Sequence, residues 1–421
     1  MSAIVPIDHP YRAAIMEEVH ARPVEIIDTV CRLRRLVFVM PSQAGAMMAV
    51  FRRFEQFCVD HRVDPPLATD RQHSFDTPLR HVTWEFHTEF VTVTWRTHPD
   101  DPENWPDDIG LECLSDSLLL GAMRIDVIAD RTIPERLIPG FHLASLCLPD
   151  IESGKAQVAT DFEPDGDKFT RFEFAAGALT VLRRSIIVRR LLEIETYRTM
   201  ALLGLPLARS ASPELRELEL ELTAVMEGLS DATAPDVVQN SLTALHQLSV
   251  RSGQLGERLG YRFAAGQAYG EILQMRLRGL RESSTPRGST LGHYIGNRVN
   301  PGLATCAAME KRIAVLSEKI ERSVALLNVR IGVDMQVQNA AVLDSIAKTA
   351  RSQFLLQRTV EGLSTFAISY YVLGMISYAL AGPLEHLHWD KTMTLSIAAP
   401  FVLLGVWLVA RSIRKAHEVK H

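Results

Sequence analysis

Apolar and polar positions alternate along the first part of the chain. The stretches CRLRRLVFVM, MRIDVIAD, HLASLCL, AQVATDF and FTRFEFA each have the pattern of a strand. The stretch HVTWEFHTEFVTVTWRTH holds two alternating runs and predicts an antiparallel hairpin that turns at His87 to Glu89. SQAGAMMAVFRRFEQFCVDHRV has helical spacing instead, with Ser42 as the predicted N-cap. Residues 30–177 therefore form a predicted α/β domain with a mixed or antiparallel sheet.

From Ala178 onward the pattern is helical almost without interruption. Apolar residues recur every three or four positions, and one helix is predicted after Ser212 with Pro213 at its first position. A longer helix then runs to a predicted loop over residues 283–302, where Ser, Pro and Gly cluster. Residues 178–362 thus form a predicted stalk of long helices.

The last part of the stalk belongs to a proline-free segment that runs for 81 residues, from Gly302 to Gly382. As one helix at ~1.5 Å per residue it would be roughly 120 Å long. Its apolar residues lie near heptad spacing, which predicts coiled-coil-like antiparallel packing against the preceding helix and against copies of the chain. A monomeric helical hairpin is the alternative. The apolar positions are Ile313, Leu316, Ile320, Val324, Leu327, Ile331, Met335, Val342 and Ile346.

The proline-free segment ends in an apolar stretch without charge, and a second apolar stretch follows it. Both are close to the ~20 residues that a helix needs to cross a bilayer, so residues 363–410 are a predicted transmembrane hairpin. Lys and Arg flank the hairpin on both outer sides, whereas its short loop carries Glu385 and Asp390. This charge pattern places both termini in the cytoplasm, with residues 411–421 as a basic tail. A buried hairpin in a soluble core is the alternative.

The first predicted span is more polar than the second. It holds seven hydroxyl-bearing residues, whereas the second is mostly Leu, Val, Ile and Ala. Polar side chains cost free energy against lipid, so we expect the first span to face protein or water. Gly362, Thr365 and Ser369 share one helical face. That face is either the lining of a pore or a close-packed interface between helices.

Composition narrows the classes of function. The chain has 421 residues, of which 47% are hydrophobic and 23% charged, as expected for a folded protein of two or three domains. A formal net charge of -5 predicts no nucleic-acid partner. Five cysteines without a CxxC pair fit a reducing compartment. Residues 1–29 do not have the apolar core of a signal peptide.

That N-terminal segment contains a polar cluster, Glu18, His20 and Arg22. Glu and His could do acid–base chemistry, and Arg could bind an anion. No nucleophile or orienting group accompanies them, so we predict a salt-bridged segment that docks onto the body of the protein. The chain has no nucleotide-binding or catalytic motif, and neither an enzyme nor a cofactor is predicted.

Two further groups contain potential metal ligands. His81, Glu85 and His87 lie on one face of the predicted hairpin and could bind a transition metal, or remain solvated. The predicted outer loop holds a second group, which could coordinate a cation or titrate near neutral pH. The residues of this loop are Glu385, His386, His388 and Asp390.

Five blocks of sequence resemble a bacterial family described only as predicted membrane-anchored proteins of unknown function. The blocks are HPYRAAIMEEVHARP, WEFHTEF, RRLLEIETYRTMALLGLP, NPGLATC and QRTVEGLSTFAISYY. Together they extend over nearly the whole chain. The resemblance implies a membrane anchor at the C-terminal end and no particular reaction.

The order of the predicted elements also resembles CorA-type magnesium transporters, which are homopentamers with the first span lining the pore. That family carries Gly-Met-Asn at the outer end of the span. Here Gly374 and Met375 are followed by Ile376 and Ser377, so the Asn is missing. The resemblance implies a homo-oligomer and a divalent cation as partner, and the missing Asn argues against the same selection of a hydrated cation.

The sequence therefore predicts an α+β chain: a sheet domain, a helical stalk and a two-span hairpin in the bacterial inner membrane. The leading functional prediction is a homo-oligomer with a CorA-like plan that conducts or transports an ion. The alternative is a membrane-tethered cytoplasmic scaffold or sensor without transport activity.

Overall fold

A computed structural model describes residues 8–12, 15–16, 22–230, 235–379 and 391–418. It consists of two compact units, Met1–Val324 and Ala325–His421. The first unit contains an eight-stranded sheet and long helices, and the second contains two apolar helical segments. The predicted α+β class is confirmed.

The sheet is almost entirely antiparallel. Its strand order is β2-β3-β4-β1-β5-β8-β7-β6, and only β5 and β8 pair in parallel. The predicted hairpin is present as β3 and β4. The strands are β1 (Cys31–Val39), β2 (Gln72–Asp76), β3 (His81–Phe86), β4 (Phe90–Thr97), β5 (Leu118–Ile128), β6 (Asp150–Ile151), β7 (Ala156–Ala159) and β8 (Thr170–Ala175).

One predicted strand is wrong, and two strands, β2 and β6, were not predicted. HLASLCL forms turns, with a hydrogen bond from the amide of Ser145 to the carbonyl of His142, and only Cys147 makes isolated bridges, to Thr160 and to Ser289. A 3-10 helix, Glu135–Gly140, precedes this stretch and leaves it outside the sheet. β2 was missed because QHSFD does not alternate between apolar and polar residues.

Helix α1 (Ala46–Asp60) covers the outer half of one sheet face. Phe54 of α1 stacks on Trp84 of β3 with ring centroids 4.2 Å apart, and both side chains are fully buried. The helix begins after Gly45, which has a left-handed backbone with φ of 85° and makes no side-chain cap. The predicted N-cap Ser42 therefore lies before the helix.

Three helices continue the first unit: α2 (Val181–Leu202), α3 (Gly204–Ser230) and α4 (Pro235–Gly279). Helix α2 packs on the sheet through buried Ile187, Leu191 and Ile194. Pro213 lies inside α3 rather than at its start. The apolar face of α3 explains this difference, because it extends on both sides of the proline. Its buried residues include Ala208, Ala211, Leu215 and Leu218.

Helix α5 (Leu291–Ala379) is 89 residues long. Thr290 caps it, because its hydroxyl oxygen accepts the amide of His293 at 3.1 Å. The predicted loop over 283–302 therefore ends too late, because α5 already begins at Leu291. Within the first unit α5 packs closely on α4: a Cβ added at Gly270 would lie 2.5 Å from Leu303. The sheet and the helices up to Val324 belong to one compact unit, and the predicted division at residue 177 stays a prediction.

The second unit contains the C-terminal part of α5 and helix α6 (Lys391–Glu418). Leu291–Ala379 contains a stretch that is long and apolar enough to cross a membrane, with mean hydropathy 1.2, and Leu395–Ser412 is a second with 1.8. Length and composition thus suggest a membrane association. Met335, Val342 and Ile346 of α5 are exposed, whereas Ile313, Leu316 and Ile320 of the same helix are buried in the first unit.

Candidate functional site

Strands β1, β3 and β4 carry a row of polar side chains on the face that looks toward helix α2. Successive side chains of a strand point to opposite faces, so Trp84, Phe86 and Trp95 of β3 and β4 pack toward α1 and the polar residues point the other way. The polar residues are all buried, which is unusual for a sheet face. They are Arg35, Thr83, Glu85, Thr92 and Thr94.

An ion pair between Arg35 and Glu85 is at the centre of this row. Nη2 of Arg35 donates to Oε2 of Glu85 at 2.7 Å, and the two side chains are 7% and 9% exposed. Thr92 donates to the same carboxylate oxygen at 2.9 Å, and Nε of Arg35 donates to the hydroxyl of Thr94 at 2.7 Å. The buried charges are therefore paired and hydrogen-bonded, as burial requires.

Residues 22–28 lie against the sheet and α2. The guanidinium of Arg22 donates to the carbonyl of Phe86 at 3.1 Å, and its own carbonyl accepts from Nη1 of Arg189 on α2 at 2.7 Å. Glu25 pairs with Arg96 of β4 at 2.7 Å. Residues 22–28 thus contact both the sheet and α2, and the docking of residues 1–29 as a segment stays a prediction.

Two arginines share one glutamate on the helical side of the site. Nε of Arg189 donates to Glu193 one turn later at 3.1 Å, and Nε of Arg276 on α4 lies 2.5 Å from the other oxygen of that carboxylate. Glu193 is only 13% exposed. It therefore fixes both guanidinium groups beside the sheet.

These groups surround a cavity of about 80 Å³. Four arginines and two glutamates line it, so its wall has an excess of basic groups. Nε of Arg22 is buried and has no hydrogen-bond acceptor among the residues that the structure describes. We call this space the arginine cavity. Its lining residues are Arg22, Arg35, Glu85, His87, Arg189, Glu193, Thr196, Tyr197 and Arg276.

The protonation states of Glu85 and His87 follow from burial and the neighbouring arginines. Burial alone would raise the pKa of Glu85, but Arg35, His87 and the hydrogen bond from Thr92 together lower it to about 2. Burial lowers the pKa of His87 to about 3, and Arg22 and Arg35 act in the same direction. At neutral pH the carboxylate is therefore ionised and the imidazole is neutral.

The predicted metal ligands His81, Glu85 and His87 do not form a common site. His81 pairs with Asp76 of β2 at 2.7 Å, Glu85 is paired with Arg35, and His87 stacks on Phe90 with centroids 4.0 Å apart. Among the described residues no group of three or more His, Cys, Asp and Glu side chains is arranged to hold a metal ion. Strand alternation correctly predicted which face these side chains share. It could not predict that Arg35 on the neighbouring part of the sheet neutralises the carboxylate of Glu85.

Thr365 and Ser369 satisfy their hydroxyl groups within α5. They donate to the carbonyls of Glu361 and Thr365 at 2.9 and 2.7 Å. Ser369 is 3% exposed. Gly362 and Thr365 also line a groove of about 820 Å³ whose other wall is formed by α6, including Trp407. In the single chain this face thus lies beside the second apolar helix.

The structure brings Arg22 into the arginine cavity, while Glu18 and His20 lie outside the described residues. The same holds for the whole predicted outer loop, Glu385, His386, His388 and Asp390. Sequence reasoning missed Arg35, Arg189 and Arg276, since each lies in a strand or helix close to other arginines and no motif distinguishes it from them. The only signal available was a charged residue at a position that the strand pattern assigns to the interior.

Comparison with known proteins gives a family but no activity. No curated protein and no solved structure matches the chain, so nothing here supports the resemblance to CorA-type transporters. Residues 7–417 match the model of a family described as protein of unknown function, DUF3422. The match extends from before β1 to the end of α6. The chain therefore belongs to the DUF3422 family.

Proposed function

We propose that the protein is a membrane-tethered, homo-oligomeric sensor whose first unit binds a small ligand on the cytoplasmic side. The arginine cavity is the observation that carries this proposal. A space lined by pre-positioned, partly uncompensated charged groups is typical of a ligand site. The two apolar helices supply the tether, and the flanking Lys and Arg favour the inner membrane with both termini inside.

The sensing part of the proposal is tested with a panel of ligand classes. Full-length protein in detergent would be melted in the presence of inorganic anions, organic acids, nucleotides, sugars and divalent cations at one ionic strength. A ligand that binds only the folded state raises the melting temperature. We expect at least one class to do so in wild type. A panel without any shift would contradict a sensor.

The homo-oligomeric part has separate support in α5. One stripe of the helix includes buried Ile313 and Ile320 in the first unit and exposed Met335, Val342 and Ile346 in the second. Exposed apolar residues at near-heptad spacing are what a helix presents to a partner helix. A second copy fits this stripe, because identical tethered chains present the same stripe in the same membrane.

This self-association is tested by multi-angle light scattering in detergent. Wild type should be an oligomer, and Val342→Lys/Ile346→Lys should dissociate it, because charges would enter the helix contact. Ala340→Lys/Ala347→Lys is the matched control on the far side of the helix, where both alanines are exposed. A monomeric wild type, or equal dissociation by the control pair, would reject the proposed interface.

Ion conduction is the second candidate. Tyr370 and Tyr371 of the first apolar stretch are 77% and 71% exposed, and these polar side chains favour a protein or water neighbour over lipid. Ion flux into proteoliposomes tests this candidate. Flux that is absent in wild type, or unchanged in Thr365→Val, would remove a pore role for the Gly362, Thr365 and Ser369 face.

A further inference from the structure

We propose that the ligand of the arginine cavity is a small divalent oxyanion, free inorganic phosphate or sulfate. This inference rests on the sensor function proposed above and specifies its ligand. Its support comes from the charge of the cavity wall, the arrangement of its donors and its size.

The charge of the wall favours a dianion. Arg22, Arg35, Arg189 and Arg276 contribute four positive charges, whereas Glu85 and Glu193 contribute two negative ones. His87 adds none, because burial lowers its pKa to about 3. Uncompensated charge in a mostly buried space is unfavourable. Two negative charges on a bound ion would balance the wall.

The donors are already in place. Glu85 holds Arg35, and Glu193 holds Arg189 and Arg276, so three guanidinium groups are fixed before any ligand arrives. Planar guanidinium groups recognise tetrahedral oxyanions through paired N–H donors. The buried Nε of Arg22 has no acceptor among the described residues, which leaves one donor for the ligand.

The size of the cavity selects a free ion. About 80 Å³ holds a few waters or one small oxyanion, since a single water needs ~10–15 Å³. Nucleotides and coenzymes need pockets of roughly 300–1,000 Å³. A phosphate group that belongs to a larger molecule would have to leave most of that molecule outside, so the free ion is the better fit.

Binding of the ion has a consequence for the N-terminal segment. Arg22 donates to Phe86 and accepts from Arg189, so its side chain is the contribution of residues 22–28 to the cavity. An oxyanion that accepts from Arg22 would fix this segment more firmly on the sheet. Backbone amides of residues 22–28 should therefore exchange hydrogen more slowly when phosphate is present.

Calorimetric titration of the full-length protein in detergent tests the proposal. Phosphate, sulfate, phosphoethanolamine and chloride would be titrated at one ionic strength. We expect saturable binding of phosphate or sulfate, and none of chloride or of the phosphomonoester. Binding of the phosphomonoester as tightly as phosphate would assign the site to a larger phosphorylated molecule and overturn the free-ion proposal.

Variants distinguish the cavity from other basic surfaces. Arg22→Gln should weaken phosphate binding by about ten- to a hundredfold, the range for a lost hydrogen bond to a charged group. Glu193→Gln should tighten it severalfold, because a negative charge leaves the wall while the amide oxygen still accepts from Nε of Arg189. Arg183→Gln is the matched control: Arg183 is on the same helix α2 and pairs with Glu152 at 2.8 Å, outside the cavity. Its affinity should equal that of wild type.

The outcomes separate the two proposals. If no oxyanion binds but another ligand class stabilises the protein, the sensor function stands and the oxyanion is rejected. If no class binds, both are rejected. Should Arg22→Gln fail to fold, Glu193→Gln still decides, since unchanged or weaker binding in that variant contradicts the charge argument. Equal weakening in Arg22→Gln and Arg183→Gln would place the ion elsewhere.

Discussion

Glu85 and Glu173 are buried carboxyl groups on opposite faces of the same sheet, and their pKa values shift in opposite directions. Glu85 on β3 faces α2, and Arg35 helps to lower its pKa to about 2 against the effect of burial. Glu173 on β8 is directly opposite Asp126 on β5 in the parallel register. Burial, and after it the charge of Asp126, raises the pKa of Glu173 to about 7.

The difference lies in hydrogen bonding and not in depth of burial. Glu85 accepts from Arg35 and Thr92 at 2.7 and 2.9 Å, whereas the nearest ion-pair contact of Glu173, to Nε of Arg171, is 3.9 Å long. A short contact to a cation offsets the free-energy cost of removing a carboxylate from water, and a long contact does not. One face therefore holds a fixed charge beside a cavity, while the other holds a carboxyl that can titrate near neutral pH.

The largest expected effect comes from removing the cation. Arg35→Met leaves an ionised Glu85 buried without its partner, so the free energy of unfolding should fall by about 3–5 kcal/mol at pH 7. Denaturant unfolding of the full-length protein, followed by circular dichroism, measures this. Arg35→Met/Glu85→Leu should recover most of the loss, since no uncompensated charge remains. A double variant less stable than the single one would show that the pair itself contributes the stability.

The spacing of apolar residues predicted most of the strands and helices that surround these two glutamates. Strand alternation correctly assigned β1, the β3–β4 hairpin, β7 and β8, and helical spacing assigned α1 and α2, because these segments bury one face each. It failed for HLASLCL, whose composition fits a strand but whose chain follows a 3-10 helix into turns. It also failed for the ends of α3 and α5, where tertiary packing extends a helix through a proline.

The candidate site was much less predictable. Arg22, Arg35, Arg189 and Arg276 lie far apart in sequence, and Arg35 and Arg189 each adjoin another arginine that does not line the cavity. Only the folded arrangement shows that they meet. Glu85 was identified, but as a metal ligand, because a strand pattern gives the face of a side chain and not the partner on the neighbouring strand.

A smaller effect with the opposite sign is expected at Glu173. Its folded-state pKa, about 7, lies above the ordinary value of 4.5. The folded state is therefore favoured below pH 4.5, and this contribution is lost as the pH rises toward 7, when a buried carboxyl must ionise. Glu173→Gln removes that cost and should stabilise the protein by about 2 kcal/mol at pH 8, with little change at pH 5.

Thermal melts of wild type and Glu173→Gln between pH 5 and pH 8 measure this difference. Glu55→Gln on the exposed side of α1 is the control and should not alter the pH dependence. A destabilised Glu173→Gln at pH 8 would mean that the ionised carboxylate has better partners than Arg171 supplies.

The smallest expected effect is at Thr92, which donates to the well-paired glutamate. Thr92→Val removes one hydrogen bond to Glu85 but leaves Arg35 in place, so we expect a loss of about 1 kcal/mol at pH 7. Glu85 has a lowered pKa, and its stabilising contribution is present above pH 4.5 and lost as the pH falls toward 2. The difference between variant and wild type should therefore shrink in acid. Ser74→Ala, which removes a hydroxyl that lies 3.0 Å from that of Thr83, should show a loss that does not depend on pH. Parallel pH profiles for the two variants would mean that Thr92 contributes by packing alone, and that Arg35 is sufficient to keep Glu85 ionised.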